Sequence, residues 1–195
     1  MNLPDAAATV LIVPGLRDAV AEHWQTLLAA QLRAQGRAVH EVPPLGREDL
    51  SCAPRVAAIE RALQAIAGPV VAVAHSGGVV MLVHWAARTE RPLRGALLAA
   101  PPDFEQPMPD GYPSLAALDA GGWLPLPRRR LPFPSIVAAS RDDPLALYER
   151  VAAMAQDWGS RLVDLGAVGH LNPASGFGPW PRAHEFIDEL AGLPG

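Results

Sequence analysis

The sequence predicts an α/β fold in which a mostly parallel sheet of six strands carries helices on both faces. Short aliphatic runs alternate with longer amphipathic stretches along the whole chain, a pattern typical of βαβ units. The chain has 195 residues, half of them hydrophobic, which is enough for one domain with a substantial core. Since no repeat or linker divides the sequence, we expect a single domain over residues 1–195.

The first strand is predicted at residues 9–13, a β-branched run that stops at Pro14 and Gly15. Five more aliphatic runs bounded by turn residues predict further strands, at 38–42, 70–74, 93–100, 135–139 and 161–165. Apolar residues at helical spacing mark the helices between and after them, around 24–32, 56–66, 79–83, 151–158 and 186–190. We expect the strand order 2-1-3-4-5-6, because the strand order of open parallel sheets that bind ligands reverses at one point.

A proline-rich segment from about residue 101 to 134 separates the fourth and fifth predicted strands. Such a connection is long for a compact domain, and it is either a segment that covers a substrate or an irregular surface loop.

The composition excludes several classes of function. All sixteen basic residues are arginine, so the chain has no lysine that could bind phosphate in a phosphate loop or form a Schiff base. The net charge is −4 and no aromatic residues are interleaved with basic ones, so nucleic acid is not an expected partner. No histidines show ligand spacing, and we expect neither a metal nor another cofactor.

The expected location is the cytoplasm. Cys52 is the only cysteine, so no intrachain disulfide can form. Residues 1–5 lack the basic region of a signal peptide, and no apolar run approaches the roughly 20 residues that span a bilayer. We therefore expect neither export nor membrane insertion.

Ser76 lies at the end of a buried-type run, between Ala74 and the glycines Gly77 and Gly78. A serine on a tight strand-to-helix turn needs small neighbours two positions before and after it, and this spacing is typical of a nucleophile elbow. The sequence has alanine at the first glycine position of the usual G-x-S-x-G pattern. The other interpretation is a glycine-rich βα turn with an incidental serine.

Two further residue types follow later predicted strands, in the order serine, aspartate, histidine. Asp143 follows the fifth strand and His170 the sixth, and in a parallel sheet these positions lie at the same edge as Ser76. This order and placement predict a nucleophile, a base and an orienting acid. Asp142 competes with Asp143 for the acid, or caps the next helix.

The same arrangement predicts where an oxyanion would bind. The backbone N–H of Gly77 is the natural first donor, because it follows the nucleophile. Leu16, in the loop after the first strand, is the preferred second donor, with Gly15 beside it either lining the pocket or only turning the chain. His75, next to Ser76, either lines the pocket or packs in the core.

The chain resembles the small α/β-hydrolases of the YdeN type, which include a retinoblastoma-binding serine hydrolase. The resembling stretches are Val13-Pro14-Gly15-Leu16, Glu22-His23-Trp24-Gln25, His75-Ser76-Gly77-Gly78, Ser140-Arg141-Asp142-Asp143-Pro144, Gly169-His170-Leu171-Asn172 and Ser175-Gly176-Phe177-Gly178-Pro179-Trp180-Pro181. They extend over nearly the whole chain.

This resemblance implies a minimal α/β-hydrolase core and a catalytic triad of Ser76, Asp143 and His170. It favours Asp143 over Asp142, since the family's acid directly precedes the proline. The expected function is hydrolysis of a small carboxylic ester or thioester, with a small acyl compound as substrate. The alternative is a protein that keeps the fold and binds a partner with little turnover. A nucleotide-binding domain is the weakest alternative, because no G-x-G-x-x-G follows the first strand.

Overall fold

Six parallel strands form one sheet in the computed structural model, which describes residues 8–16, 20–46, 48–89 and 91–193. The strands are β1 (Thr9–Val13), β2 (Val39–Glu41), β3 (Val70–His75), β4 (Gly95–Ala99), β5 (Ser135–Ala139) and β6 (Arg161–Asp164). The helices are α1 (Trp24–Ala34), α2 (Cys52–Gln64), α3 (Gly77–Ala86), α4 (Leu115–Ala120), α5 (Tyr148–Trp158) and α6 (Arg182–Ala191).

The strand order is β2-β1-β3-β4-β5-β6, and every neighbouring pair is parallel. This confirms the predicted fold class and strand order. The order reverses between β1 and β3, which pair from Thr9 with Val70 to Val13 with Ala74. The carboxyl ends of these two strands therefore open next to each other, which is where an open parallel sheet binds its ligands.

The two faces of the sheet are covered by different helices. Leu11 and Val13 of β1 belong to a core with residues of α2, α3 and α5, whereas Val10 and Ile12 belong to a core with residues of α1 and α6. Because both faces are buried, the central strands are continuous aliphatic runs instead of alternating ones. All residues of the α3 helix are buried, and for the same reason its sequence is mainly apolar on every side.

The strand boundaries differ from the predicted ones by at most two residues, since β3 includes His75 and β4 begins at Gly95. The helices extend up to four residues beyond the predicted stretches, as at Cys52, where α2 begins. The sequence analysis missed α4 and a short 3₁₀ turn at Pro173–Ser175. α4 lies inside the proline-rich segment, which is anchored to the body of the protein. The indole N–H of Trp123 donates to the carbonyl of Leu50 (2.6 Å), and His84 Nε2 donates to the carbonyl of Trp123 (2.9 Å).

Within the described part of the chain, no helix combines the length and the apolar character needed to span a bilayer. Residues 1–5, from which the absence of a signal peptide was predicted, lie outside the described residues.

Candidate active site

Ser76 lies on a sharp turn between β3 and α3 and has a strained backbone. Its φ of 55° and ψ of −131° are unusual for a residue with a side chain. The backbone N–H of Ser76 donates to Ala99 on β4 (3.0 Å), which holds the turn against the sheet. The turn therefore has the geometry predicted for a nucleophile elbow.

The structure brings Ser76, His170 and Asp143 into one hydrogen-bonded row. The hydroxyl oxygen of Ser76 lies 2.7 Å from His170 Nε2, and His170 Nδ1 lies 2.8 and 3.0 Å from the two carboxylate oxygens of Asp143. Because a carboxylate only accepts, Nδ1 donates a hydrogen bond to Asp143, and Nε2 on the other side of the ring is placed to accept the hydroxyl proton of Ser76. This arrangement can transfer the serine proton to the imidazole.

The carboxylate of Asp143 is held in place by its own loop. Asp143 is largely buried in the turn after β5, and one of its carboxylate oxygens accepts the N–H of Leu145 (2.9 Å). The same residue thus closes a local turn and binds the imidazole, so that its rotamer is fixed by two partners.

Asp142 binds the loop that carries His170. Its Oδ1 accepts the backbone N–H of Gly169 (2.7 Å) and the hydroxyl of Ser140 (2.8 Å), and Ser140 Oγ in turn accepts the N–H of Val168 (3.1 Å). These hydrogen bonds hold the pKa of Asp142 below its usual value, the bond from Gly169 being the main cause. The interpretation of Asp142 as a cap of the following helix is wrong, since α5 begins after Leu147.

His75 lies in the wall of the cavity and also packs under the site. Its Nε2–H donates to the carbonyl oxygen of His170 (2.9 Å), and its ring lies 5.1 Å from that of His170 and 4.8 Å from that of His23. Burial, with the neighbouring imidazoles, keeps the pKa of His75 well below its usual value. Burial, with His170, lowers the pKa of His23 to about 4. Both rings are therefore neutral at neutral pH.

The loop after β1 lies directly against Ser76. A Cβ built on Gly15 would lie 3.2 Å from Ser76 Cβ, and one built on Gly77 would lie 2.6 Å from Leu16 Cγ. Leu16 thus packs over the first residue of α3, where the backbone N–H groups lack partners within the helix. The two residues predicted as oxyanion donors, Leu16 and Gly77, therefore contact each other beside Ser76.

A cavity of about 510 Å³ opens at Ser76 and His170. Gly15 and His75, the predicted pocket residues, line it, as does His23. Another part of the lining comes from the first part of the proline-rich segment, including Pro102, Phe104, Met108, Tyr112 and Pro113. Among the described residues, no group of three or more histidine, cysteine or carboxylate side chains could hold a metal ion.

The sequence analysis did not predict that His23 and Gln25 line the cavity. From the sequence, the stretch Glu22-His23-Trp24-Gln25 is only part of the resemblance. In the structure Trp24 packs edge-on against Trp180 (ring centroids 4.9 Å apart), so two stretches of the resemblance touch each other. A polar residue within the buried stripe of an amphipathic helix was the available signal for Gln25, because buried amides need partners.

Comparisons with known proteins show which family and which fold the chain shares. A family model described as serine hydrolase matches residues 10–189. A putative YdeN-like hydrolase from Pectobacterium atrosepticum is 28% identical, with a TM-score of 0.77 over 95% of this chain and 91% of that one. No curated protein matches the chain.

Two other solved structures share the fold at lower identity. The ydeN gene product of B. subtilis is 19% identical, with a TM-score of 0.74 over 94% of this chain and 98% of that one. Est1E from Butyrivibrio proteoclasticus, solved with ferulic acid bound, is 13% identical, with a TM-score of 0.68 over 96% of this chain and 88% of that one.

Proposed function

Because the chain belongs to the serine hydrolase family, we propose that it hydrolyses a small carboxylic ester or thioester through an acyl-enzyme on Ser76. The observation that carries the proposal is the row in which the Ser76 hydroxyl, the His170 imidazole and the Asp143 carboxylate follow one another at 2.7 and 2.8 Å. These distances allow proton transfer without rearrangement.

In the proposed mechanism His170 Nε2 takes the proton of Ser76 as its oxygen attacks the substrate carbonyl. The negative charge on the carbonyl oxygen is stabilised by the backbone N–H groups of Gly77 and Leu16. Asp143 stabilises the imidazolium, which then protonates the leaving alcohol or thiol as the bond to the acyl carbon breaks. A water molecule, deprotonated by His170, releases the acid and restores the serine.

The lining of the cavity favours an uncharged, mainly apolar substrate. Prolines and large apolar side chains dominate its walls, and His23 and His75 are neutral. Glu41 is the one formally charged side chain among the described lining residues, and it is paired with Arg33 at 2.7 Å. Burying a carboxylate or phosphate among the described lining residues, which include no lysine or arginine, would cost several kcal/mol.

Turnover of p-nitrophenyl esters tests the proposal. We expect activity with the acetate ester. For longer acyl chains, kcat/KM should rise up to about fourfold for each further methylene that the cavity buries, since burying one methylene is worth about 0.8 kcal/mol. Ser76→Ala should lose this activity, whereas Ser51→Ala, at the start of α2, should keep it. Equal turnover by the wild type and Ser76→Ala would overturn the assignment.

We also propose a cytoplasmic location. The support is that Cys52 is the only cysteine of the chain and is buried as a free thiol. Fractionation of the source cells with an antibody to the protein tests this, and recovery outside the cytoplasm would contradict it.

A further inference from the structure

Gln25 is a buried polar side chain that the proposed mechanism does not use. It lies in the first turn of α1 and is only 4% exposed. Its side-chain nitrogen donates to two main-chain carbonyl oxygens, those of Val13 (3.1 Å) and Val73 (3.0 Å). One side chain therefore uses both amide N–H bonds to connect β1 and β3.

The two carbonyls are placed just before the two loops that meet at the site. Val13 is the last residue of β1 and leads into Pro14, Gly15 and Leu16, while Val73 precedes Ser76 by three residues. β1 and β3 are paired up to Val13 and Ala74, after which β1 leads into the Leu16 loop and β3 ends at the turn of Ser76. The Gln25 amide thus joins the strands where the sheet opens.

The Val13 carbonyl is also confined from the other side. A Cβ on Gly78 would lie 2.5 Å from the carbonyl oxygens of both Val13 and Pro14, so α3 packs directly on this part of the backbone. Real Cβ atoms do not approach this closely, and only glycine fits there. The peptide that leads into the Leu16 loop is therefore fixed between α3 and the Gln25 amide.

The start of α1 is itself fixed, which makes Gln25 a rigid support. His23 is the N-cap of α1, and its Nδ1 accepts the backbone N–H of Gln25 (3.2 Å). The next residue, Trp24, is fully buried against Trp180. Both the backbone and the side chain of Gln25 are therefore held by hydrogen bonds to specific partners.

We propose that Gln25 is a positioning residue for the oxyanion site: by tying Val13 to Val73, it sets the Leu16 N–H against the Gly77 N–H and the Ser76 hydroxyl. The inference rests on the proposed function, since it assigns Gln25 a role in stabilising the tetrahedral intermediate. A donor displaced by about 1 Å can cost about 100-fold in rate, and loss of one oxyanion donor costs about 10²- to 10³-fold.

Gln25→Met tests the proposal, because methionine has a similar size and no hydrogen-bond donor. Active sites are counted by titration with a fluorophosphonate carried to completion, so that kcat is expressed per reactive serine and misfolded protein is not counted. We expect kcat per titrated site to fall about 10- to 100-fold, with KM changed by less than about threefold. Gln31→Met makes the same change at an exposed position of α1 and should keep the wild-type kcat.

Gln25→Glu provides a second variant, which is informative even where Gln25→Met folds poorly. A buried carboxyl in contact with two carbonyls is held protonated and keeps one O–H donor, so its kcat per site should lie between those of the wild type and Gln25→Met. Wild-type kcat per site in the Gln25 variants would overturn the positioning role alone. A wild-type protein that neither reacts with the probe nor turns over esters would overturn the proposed function as well.

Discussion

At the scale of single residues, two adjacent aspartates have separate partners. Asp143 binds the imidazole of His170, while Asp142 binds the backbone of the loop that carries it. The sequence could place both after β5 but could not choose between them from the residues alone. The choice depends on side-chain direction across a loop–loop contact, which local patterns do not encode.

Asp143→Asn should lower kcat about 10³- to 10⁴-fold, because an amide favours the wrong imidazole tautomer and does not stabilise the imidazolium. Asp142→Asn is the matched control. It keeps an oxygen acceptor for the Gly169 N–H, so kcat should change by less than about fivefold. Steady-state kinetics of the two variants on one ester decide the matter, and the opposite ranking would assign the acid to Asp142.

The neutral imidazoles under the site should make the protein less stable in acid. The pKa of His23 is lowered to about 4 and that of His75 lies well below its usual value, chiefly through burial. Once the pH falls below the ordinary histidine pKa of about 6.5, the unfolded chain binds protons that the folded chain does not. This contribution to the free energy of unfolding is therefore complete above that pH and, for His23, is lost progressively down to about pH 4.

Urea unfolding between about pH 7.5 and pH 4.5 measures this loss. His23→Asn keeps an N-cap acceptor but cannot titrate, so its free energy of unfolding should fall less steeply than that of the wild type. If the free energy of unfolding fell equally steeply with pH in the two proteins, His23 would not contribute to the loss of stability in acid.

At the scale of elements, the approach of α3 to β1 depends on Gly78. The helix runs over the Val13–Pro14 peptide without a side chain between them, and the elbow at Ser76 starts from that contact. The sequence showed the glycines and the strand before them, which is why β3, α3 and the elbow were predicted. It could not show which backbone Gly78 touches, since that contact joins positions more than 60 residues apart.

Gly78→Ala should lower the free energy of unfolding by about 1–3 kcal/mol, because the added methyl group must displace backbone. Gly178→Ala is the matched control. A Cβ there would meet no atom within 4 Å, so the change should stay within about 0.5 kcal/mol. Equal urea midpoints for the two variants would contradict the close packing of α3 on β1.

The helix α4 escaped the sequence analysis for a reason that the structure makes plain. α4 has only six residues and lies among prolines and glycines, so its periodicity is too short to detect. Its position depends on the hydrogen bonds of Trp123 to residues far away in the sequence. Of the proline-rich segment, the part before α4 lines the cavity and the part after it packs on the body.

For the whole molecule, strain and polar groups gather at the carboxyl edge of the sheet. Ser76, Ala100 and Leu171 are the non-glycine residues with positive φ among those described, and they follow β3, β4 and His170. Such conformations persist only where surrounding packing holds them, and they cluster at functional sites. The sequence predicted this edge because parallel strands end on the same side, but the shape of the cavity depends on the packing of the long connection.

The central claim is that three distant stretches of chain create one reactive serine. Mass spectrometry of the protein after reaction with a fluorophosphonate, followed by peptide mapping, tests it most directly. We predict one adduct per chain on Ser76, formed at a rate that falls at least about 10³-fold in His170→Ala. An unmodified wild-type protein, or an adduct on another serine, would contradict the account.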